Sequence, residues 1–209
     1  MKNLLIISLA FLLTGCSSNP PKEGGLVSVQ KIPETPVNDY IYTLGEVTIK
    51  WTAFKHSAKA QVGGKFKSAE VKGFKESTSL NTSISGVTFN IPVSSTSTND
   101  EVRDYKIVNS FFKTMVKTDF ITGKILSVDE NGYGKLAINM NGQEVEKQYK
   151  WEIDQITKEM YIKTSIDVLN WGAQSSLDAL NEVCLEQHTG PDGQNILWPN
   201  VDITVIVDL

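Results

Sequence analysis

Cysteine and histidine are scarce in this 209-residue chain, which has two of each. A zinc site needs three or four ligands, and a serine or cysteine nucleophile needs a base beside it. The sequence also lacks the G-x-S-x-G and G-x-G-x-x-G patterns of hydrolases and dinucleotide-binding enzymes. We therefore expect a protein that is not an enzyme and has no resident metal or cofactor.

An excess of basic residues is missing as well. The chain has 20 Lys and Arg against 24 Asp and Glu, a net charge of −4. A nucleic-acid partner would require a basic patch, so none is expected. The uncharged apolar run from Leu4 to Leu13 rises about 15 Å as a helix, half the apolar thickness of a bilayer. Behind Lys2, a run of this length is typical of an export signal rather than a membrane span.

The residues after this run, Leu13-Thr14-Gly15-Cys16, resemble the lipobox of bacterial lipoproteins. The resemblance implies a signal peptide over residues 1–15 and acyl chains such as palmitate on Cys16. Each buried CH₂ contributes about 0.8 kcal/mol, so two or three acyl chains hold a protein on a membrane. A non-acidic residue after the cysteine, here Ser17, implies the outer membrane, facing the periplasm. The alternative is an ordinary secretory signal followed by an incidental cysteine.

The next stretch differs from the rest of the chain in composition. Four of the seven prolines lie within residues 17–39, where no apolar periodicity is visible. We predict a flexible tether over residues 16–44, including the lipidated cysteine, and a folded domain over residues 45–209. If Cys16 is acylated, Cys184 has no intramolecular partner, and the domain depends on its hydrophobic core for stability.

From Glu46 onward, apolar and polar residues alternate as they do in half-buried strands. Val47, Ile49 and Trp51 share one face of the first such segment. The same alternation recurs over residues 87–93, 136–140, 145–153, 162–168 and 201–207. Asn141-Gly142 is a strong signal for a two-residue hairpin. Eight to ten strands with mostly short turns predict a mainly β protein, an antiparallel sandwich or barrel.

Two segments have helical spacing instead. Residues 98–116 begin with the capping-box pattern Thr98-Asn99-Asp100-Glu101, and residues 175–188 are followed by Gly190-Pro191. Cys184 and His188, four residues apart, would share a helix face and could supply two metal ligands. We interpret Cys184 as part of an apolar stripe and His188 as a cation at the helix C-terminus.

Several motifs taken in order resemble the YceI family. They are Val62-Gly63-Gly64-Lys65-Phe66, the Ser-rich turn after Ile91-Pro92, Arg103-Asp104, and Phe111-Phe112. The resemblance covers about residues 47–168 and the last strand. Residues 171–198 resemble a helical insertion before that strand, which could cover a barrel mouth. We interpret Gly63-Gly64 as a bend or bulge, and Arg103-Asp104 as a structural pair.

The YceI resemblance implies a lipocalin-like antiparallel β-barrel that holds a long polyisoprenoid chain. An aliphatic chain needs only a dry tunnel, so its site leaves no polar motif. The predicted lining lies on the apolar faces of the strands, except for Ile121, which is placed by the family pattern. The residues are Trp51, Phe89, Ile91, Ile121, Ile138, Trp151 and Ile166.

Two functions therefore remain open. One is a membrane-anchored lipoprotein of the cell envelope that binds an isoprenoid or a similar apolar lipid. The other is a ligand-free structural or interaction lipoprotein of the envelope whose barrel is packed solid. Apolar residues that face inward in a small barrel are compatible with both.

The lipobox can be tested by replacing its cysteine. We expect Cys16→Ser to abolish acyl labelling and membrane retention, because no other residue provides the thiol that is acylated. Cells that express the variant are fractionated and the membranes are washed with high salt. A domain that stays with the washed membranes would contradict lipid anchoring.

Overall fold

The computed structural model describes residues 39–209 of the chain. The predicted signal peptide, Cys16 and most of the predicted tether lie outside the described residues. Ten strands make up most of the described part. They are β1 (Val47–Lys55), β2 (Ala60–Phe66), β3 (Glu70–Lys72), β4 (Thr88–Pro92), β5 (Thr96–Ser97), β6 (Phe120–Val128), β7 (Tyr133–Met140), β8 (Gln143–Ile153), β9 (Glu159–Asp167) and β10 (Leu197–Asp208).

All ten strands belong to one antiparallel sheet, in the order β3-β4-β6-β7-β8-β9-β10-β1-β2-β5. The last strand, β10, pairs with both β9 and β1, so the end of the chain is inserted beside its first strand. Within the described residues β3 and β5 remain the two edges. The predicted mainly β, antiparallel fold is confirmed, but the sheet is a curled half-barrel rather than a hydrogen-bonded ring.

The register of the sheet places the alternating apolar residues on one concave face. Val47 is opposite Val207 and Trp51 is opposite Ile203, so residues of the same parity face inward on β1 and β10. The predicted hairpin joins β7 and β8. Asn141 has φ 52° and Gly142 has φ 68°, the left-handed pair that a two-residue turn requires.

Short helices interrupt the strands in the described part of the chain. They are α1 (Leu80–Ile84), α2 (Glu101–Ser110), α3 (Gln174–Val183) and α4 (Leu185–His188), with 3₁₀ turns at Val93–Ser95, Phe112–Thr114 and Val168–Trp171. The helix predicted over residues 175–188 is broken at Cys184, where φ is −119° and ψ is 24°. No helix among the described residues combines the length and the apolar character needed to cross a membrane.

The start of α2 differs from the predicted capping box. The cap is Asp100, whose carboxylate accepts a hydrogen bond from the Arg103 amide at 3.0 Å. Thr98 lies before the helix, where its amide and hydroxyl both donate to the Asp104 carboxylate, at 2.7 and 2.6 Å. Arg103 donates to the Thr98 hydroxyl at 2.9 Å and to its carbonyl at 3.2 Å. Arg103 and Asp104 thus hold the loop before α2, the structural role that we assigned to them.

Candidate functional site

The concave face of the sheet surrounds a cavity of about 260 Å³. A single water occupies roughly 10–15 Å³ of such a volume, so the space is far larger than the voids of a packed core. Side chains of the inner face, such as Trp51, Ile121 and Ile203, are only half-buried although they point inward. The interior is therefore not filled by side chains, which was one of the two arrangements that the sequence left open.

The cavity wall has no charged residue and a single hydroxyl side chain, that of Thr164. This hydroxyl donates a hydrogen bond to the Gln148 carbonyl at 2.8 Å, so its proton is not available to a ligand. A wall of this composition disfavours ions, because they would lose their hydration without gaining a partner. The buried indole N–H of Trp51 has no hydrogen-bond partner and is the polar group that the wall leaves free. It can accept hydrocarbon.

The lining residues on the neighbouring strands β10 and β1 indicate the length of the cavity. On β10 the lining extends from Leu197 to Val207, ten steps that rise about 33 Å along the strand. On β1 the lining residues are Val47, Ile49, Trp51 and Ala53, one from every second position. The wall therefore follows an elongated path along the strands, which suits an extended chain better than a compact ligand.

Six of the seven predicted lining residues lie on this wall. They are Trp51, Phe89, Ile91, Ile121, Ile138 and Ile166. Trp151 does not line the cavity, although it pairs with Ile162, which does. Its indole N–H donates to the Tyr133 carbonyl at 3.1 Å, and its ring borders a separate, more polar pocket with Lys150 and Lys163.

Sequence reasoning missed part of the wall. Ile203 and Val205 follow the same alternation as the chosen residues, and Leu177 and Leu180 belong to the apolar stripe of the helix predicted over residues 175–188. The available signal for Ile203 and Val205 was the alternation over residues 201–207, and the pairing of β10 with β1 places them on the same inner face as Trp51. Phe111 and Phe112 had no such signal, because their position depends on where α2 ends.

Trp51 owes its position to a glycine. A Cβ at Gly64 would lie 2.3 Å from the Trp51 ring, whereas one at Gly63 would meet nothing closer than 3.9 Å. The register of β1 with β2 runs through both glycines without a shift. Of the bend or bulge that we predicted at Gly63-Gly64, the bulge is therefore not present. Gly64 leaves space for the indole ring to lie flat over the neighbouring strand.

The two ends of the cavity differ. At one end, Leu177 and Leu180 of α3 lie on the wall together with Ile107 of α2 and Phe111. Residues 171–198 thus contribute a cover to this end. At the other end the wall includes Leu44, which comes just before β1 and is 38 % exposed, while the other lining residues are buried or half-buried.

Cys184 and His188 lie near the covered end but outside the cavity wall. Both are buried, and the His188 Nδ1–H donates to Asn181 Oδ1 at 2.8 Å. Burial, followed by the charges of Lys55, His56 and Lys106, lowers the pKa of His188 to about 4. His188 is thus neutral at pH 7, and our interpretation of it as a cation is wrong. Within the described residues no three His, Cys, Asp or Glu side chains are grouped to hold a metal.

Comparison with known proteins relates this architecture to solved structures. No protein-family model matches the chain, and no curated protein matches it in sequence. A polyisoprenoid-binding domain from Saccharophagus degradans has a TM-score of 0.55 at 11 % identity, over 77 % of this chain and 91 % of that one. BcnA of Burkholderia cenocepacia has a TM-score of 0.51 at 11 % identity, over 77 % and 94 %. A mutant of the Campylobacter jejuni YceI protein has a TM-score of 0.50 at 16 % identity, over 75 % and 88 %.

This chain has the YceI-like fold. The curled antiparallel sheet and its few short helices are the features that it shares with these structures. At such low sequence identity, the similarity is one of fold.

The contact between Trp51 and Gly64 leads to a matched pair of variants. We expect Gly64→Ala to lower the free energy of unfolding by about 1–3 kcal/mol, because the new methyl group overlaps the indole ring. Gly63→Ala should change it by less than about 0.5 kcal/mol, since its Cβ faces open space. Urea titrations of both variants measure the effect, and equal midpoints would contradict the proposed position of Trp51.

The buried His188 leads to a pH dependence. Its folded pKa of about 4 lies below the ordinary value of 6.5, so the unfolded chain binds the proton more tightly. Stability is therefore complete above pH 6.5 and is lost as the pH falls towards 4, by on the order of 2 kcal/mol. His188→Gln should lose less stability than the wild type over this range in urea titrations at pH 7 and pH 4.5. An identical loss in both proteins would show that another group causes it.

Proposed function

We propose that this protein binds lipid, holding an isoprenoid or a similar long apolar chain inside the curled sheet. The observation that supports the proposal most strongly is the elongated cavity whose wall has no charge and only one, already hydrogen-bonded, hydroxyl. A structural neighbour described as a polyisoprenoid-binding domain supports the same class of ligand.

The energetics favour a long chain over a short one. Each CH₂ transferred from water contributes about 0.8 kcal/mol, so twenty carbon atoms in the cavity give a gross gain of roughly 16 kcal/mol. Ordering of the chain and loss of its free motion offset a large part of this gain. A short fatty acid would retain little net affinity, whereas a polyprenyl chain would retain a substantial one.

The wall also determines which part of a lipid can enter. A phosphate or carboxylate placed inside would lose its hydration without gaining a partner. The polar end of the ligand therefore stays at the exposed end near Leu44, and only hydrocarbon fills the interior. We propose that the protein binds and protects its ligand without transforming it, since the wall offers no nucleophile or base.

The cellular location remains part of the proposal. The lipobox sequence before Cys16 supports a lipid anchor, and Ser17 supports the outer membrane of the envelope, facing the periplasm. An anchored binding protein would keep a water-insoluble ligand next to the membrane that contains it. The ligand-free alternative, a structural or interaction lipoprotein, is disfavoured by the half-buried inner residues that surround empty space.

Adjacent residues on opposite faces of β6 provide the test. Ile121 is half-buried on the cavity wall, and Thr122 is exposed on the outer face. We expect Ile121→Trp to weaken binding of a long polyprenol at least about tenfold, because the indole occupies the space of several chain carbons. Thr122→Trp adds the same ring outside and should bind as the wild type does.

Binding is measured by competition with a fluorescent polyene lipid, and circular dichroism verifies that each variant is folded. Solvent extraction of the purified wild type, followed by mass spectrometry, identifies any apolar molecule that copurifies. The proposal is wrong if the wild type neither contains nor binds such a molecule, or if folded Ile121→Trp binds polyprenols with unchanged affinity.

A further inference from the structure

Exposed aliphatic residues surround the end of the cavity at which Leu44 lies. Leu44 is 38 % exposed, Ile41 is 54 % exposed and Ile156 is 92 % exposed. Ile156 occupies the turn between β8 and β9, where it contributes almost nothing to the core. We name Ile41, Leu44 and Ile156 the rim. Three large apolar side chains in water at one cavity end suggest a surface that another apolar phase covers.

Hydrogen bonds hold the parts of the rim together. The Gly45 amide donates to the Asp208 carbonyl at 2.9 Å, and the Leu209 amide donates to the Lys158 carbonyl at 3.2 Å. The Tyr40 hydroxyl donates to the Leu209 carbonyl. The segment before β1, the end of β10 and the β8–β9 turn therefore form one edge of the protein, and the rim residues belong to that edge.

Several groups beside the rim suit a membrane interface, and one carboxylate, that of Asp154, also lies there and accepts a hydrogen bond from the Ile156 amide at 2.7 Å. The Tyr40 and Tyr42 rings lie 5.5 Å apart in an edge-to-face arrangement, and the Lys158 ammonium is 5.0 Å from the Tyr40 ring. Tyrosine rings and the long side chain of lysine have apolar bodies and polar tips, which match the headgroup layer of a bilayer.

The point at which the preceding chain enters the fold also supports a membrane contact at the rim. That chain joins the fold at Asp39, next to Tyr40, and Cys16 lies 23 residues upstream. If Cys16 is the membrane anchor, the chain that leads from it enters the fold beside the rim.

We propose that the rim docks on the surface of a phospholipid bilayer, so that the apolar chain moves between bilayer and cavity past Leu44. This inference rests on the proposed function, because it assumes a lipid ligand. The opposite end differs in that α3 covers the cavity with Leu177 and Leu180. Docking at Leu44 spares the hydrocarbon any passage through water.

Two labelled positions test the docking directly. The full chain, purified from membranes, is given Ile156→Cys or Val116→Cys, labelled with bimane and incorporated into phosphatidylcholine vesicles containing nitroxide-labelled lipid. Val116 is 62 % exposed and hydrogen-bonded through its amide to Asn141 in the β7–β8 turn. Successive turns of antiparallel strands lie at opposite ends, so Val116 is the matched control. The unsubstituted chain gives the background, since Cys184 is buried.

We expect the lipid nitroxide to quench the label at position 156 at least about threefold more than the label at position 116. Docking on the bilayer brings only the first position within short range. Equal quenching at the two positions, or stronger quenching at position 116, would overturn the proposal.

A second pair of variants tests the movement of the ligand. Ile41→Asp with Ile156→Asp should slow uptake of a labelled polyprenol from phosphatidylcholine vesicles by about tenfold, because carboxylates resist insertion. Val116→Asp should leave the rate within about twofold. Affinity measured in detergent should stay within about twofold in all variants, because none of the three residues lines the cavity. Unchanged uptake by the double variant overturns the docking proposal and leaves the proposed function standing, whereas a wild type that binds no polyprenol at all refutes the proposed function.

Discussion

The exclusion of charge from the concave face of the sheet is the constraint on which the other features of this protein depend. The strands that border the cavity mostly alternate, so the side chains that point inward are apolar apart from Thr164. A single charged residue on the inner face would need a partner or water, and the wall provides neither. Because the wall has no charge and its one hydroxyl, that of Thr164, is already hydrogen-bonded, the interior suits hydrocarbon, although the buried Trp51 indole N–H has no hydrogen-bond partner.

A wall of this kind would normally collapse on itself, because a cavity loses the dispersion contacts that packing provides. Here the curled sheet and its covers keep the space open. The continuous ladder through β9, β10 and β1 supplies a stiff side, and Trp51 lies over Gly64 rather than across the centre. The two ends of the cavity differ: α2 and α3 cover one end, and the exposed Leu44 borders the other.

Particular residues show how far sequence patterns extend. Ile91, Ile121, Ile138 and their strands follow from period-two alternation and from the resemblance to YceI proteins, and all three lie on the wall. Trp151 obeys the same alternation but does not line the cavity; its indole N–H donates to the Tyr133 carbonyl and its ring borders a separate pocket. His188 has a sequence position that suits a helix-terminal cation, yet burial leaves it neutral. Alternation predicts the face of the sheet on which a residue lies. It does not predict the position of that residue along the sheet or the groups that surround it.

The sequence by itself determined the strands, the hairpin at Asn141-Gly142 and the apolar character of one sheet face, because these depend on neighbours within a few residues. Only the tertiary structure decided whether that face surrounds packed side chains or empty space. The answer depends on the curvature of the sheet, on Gly64 accommodating the Trp51 ring, and on the place at which α2 and α3 meet the cavity. These are contacts between residues far apart in the chain, and no local pattern of apolar and polar residues specifies the volume that remains between them.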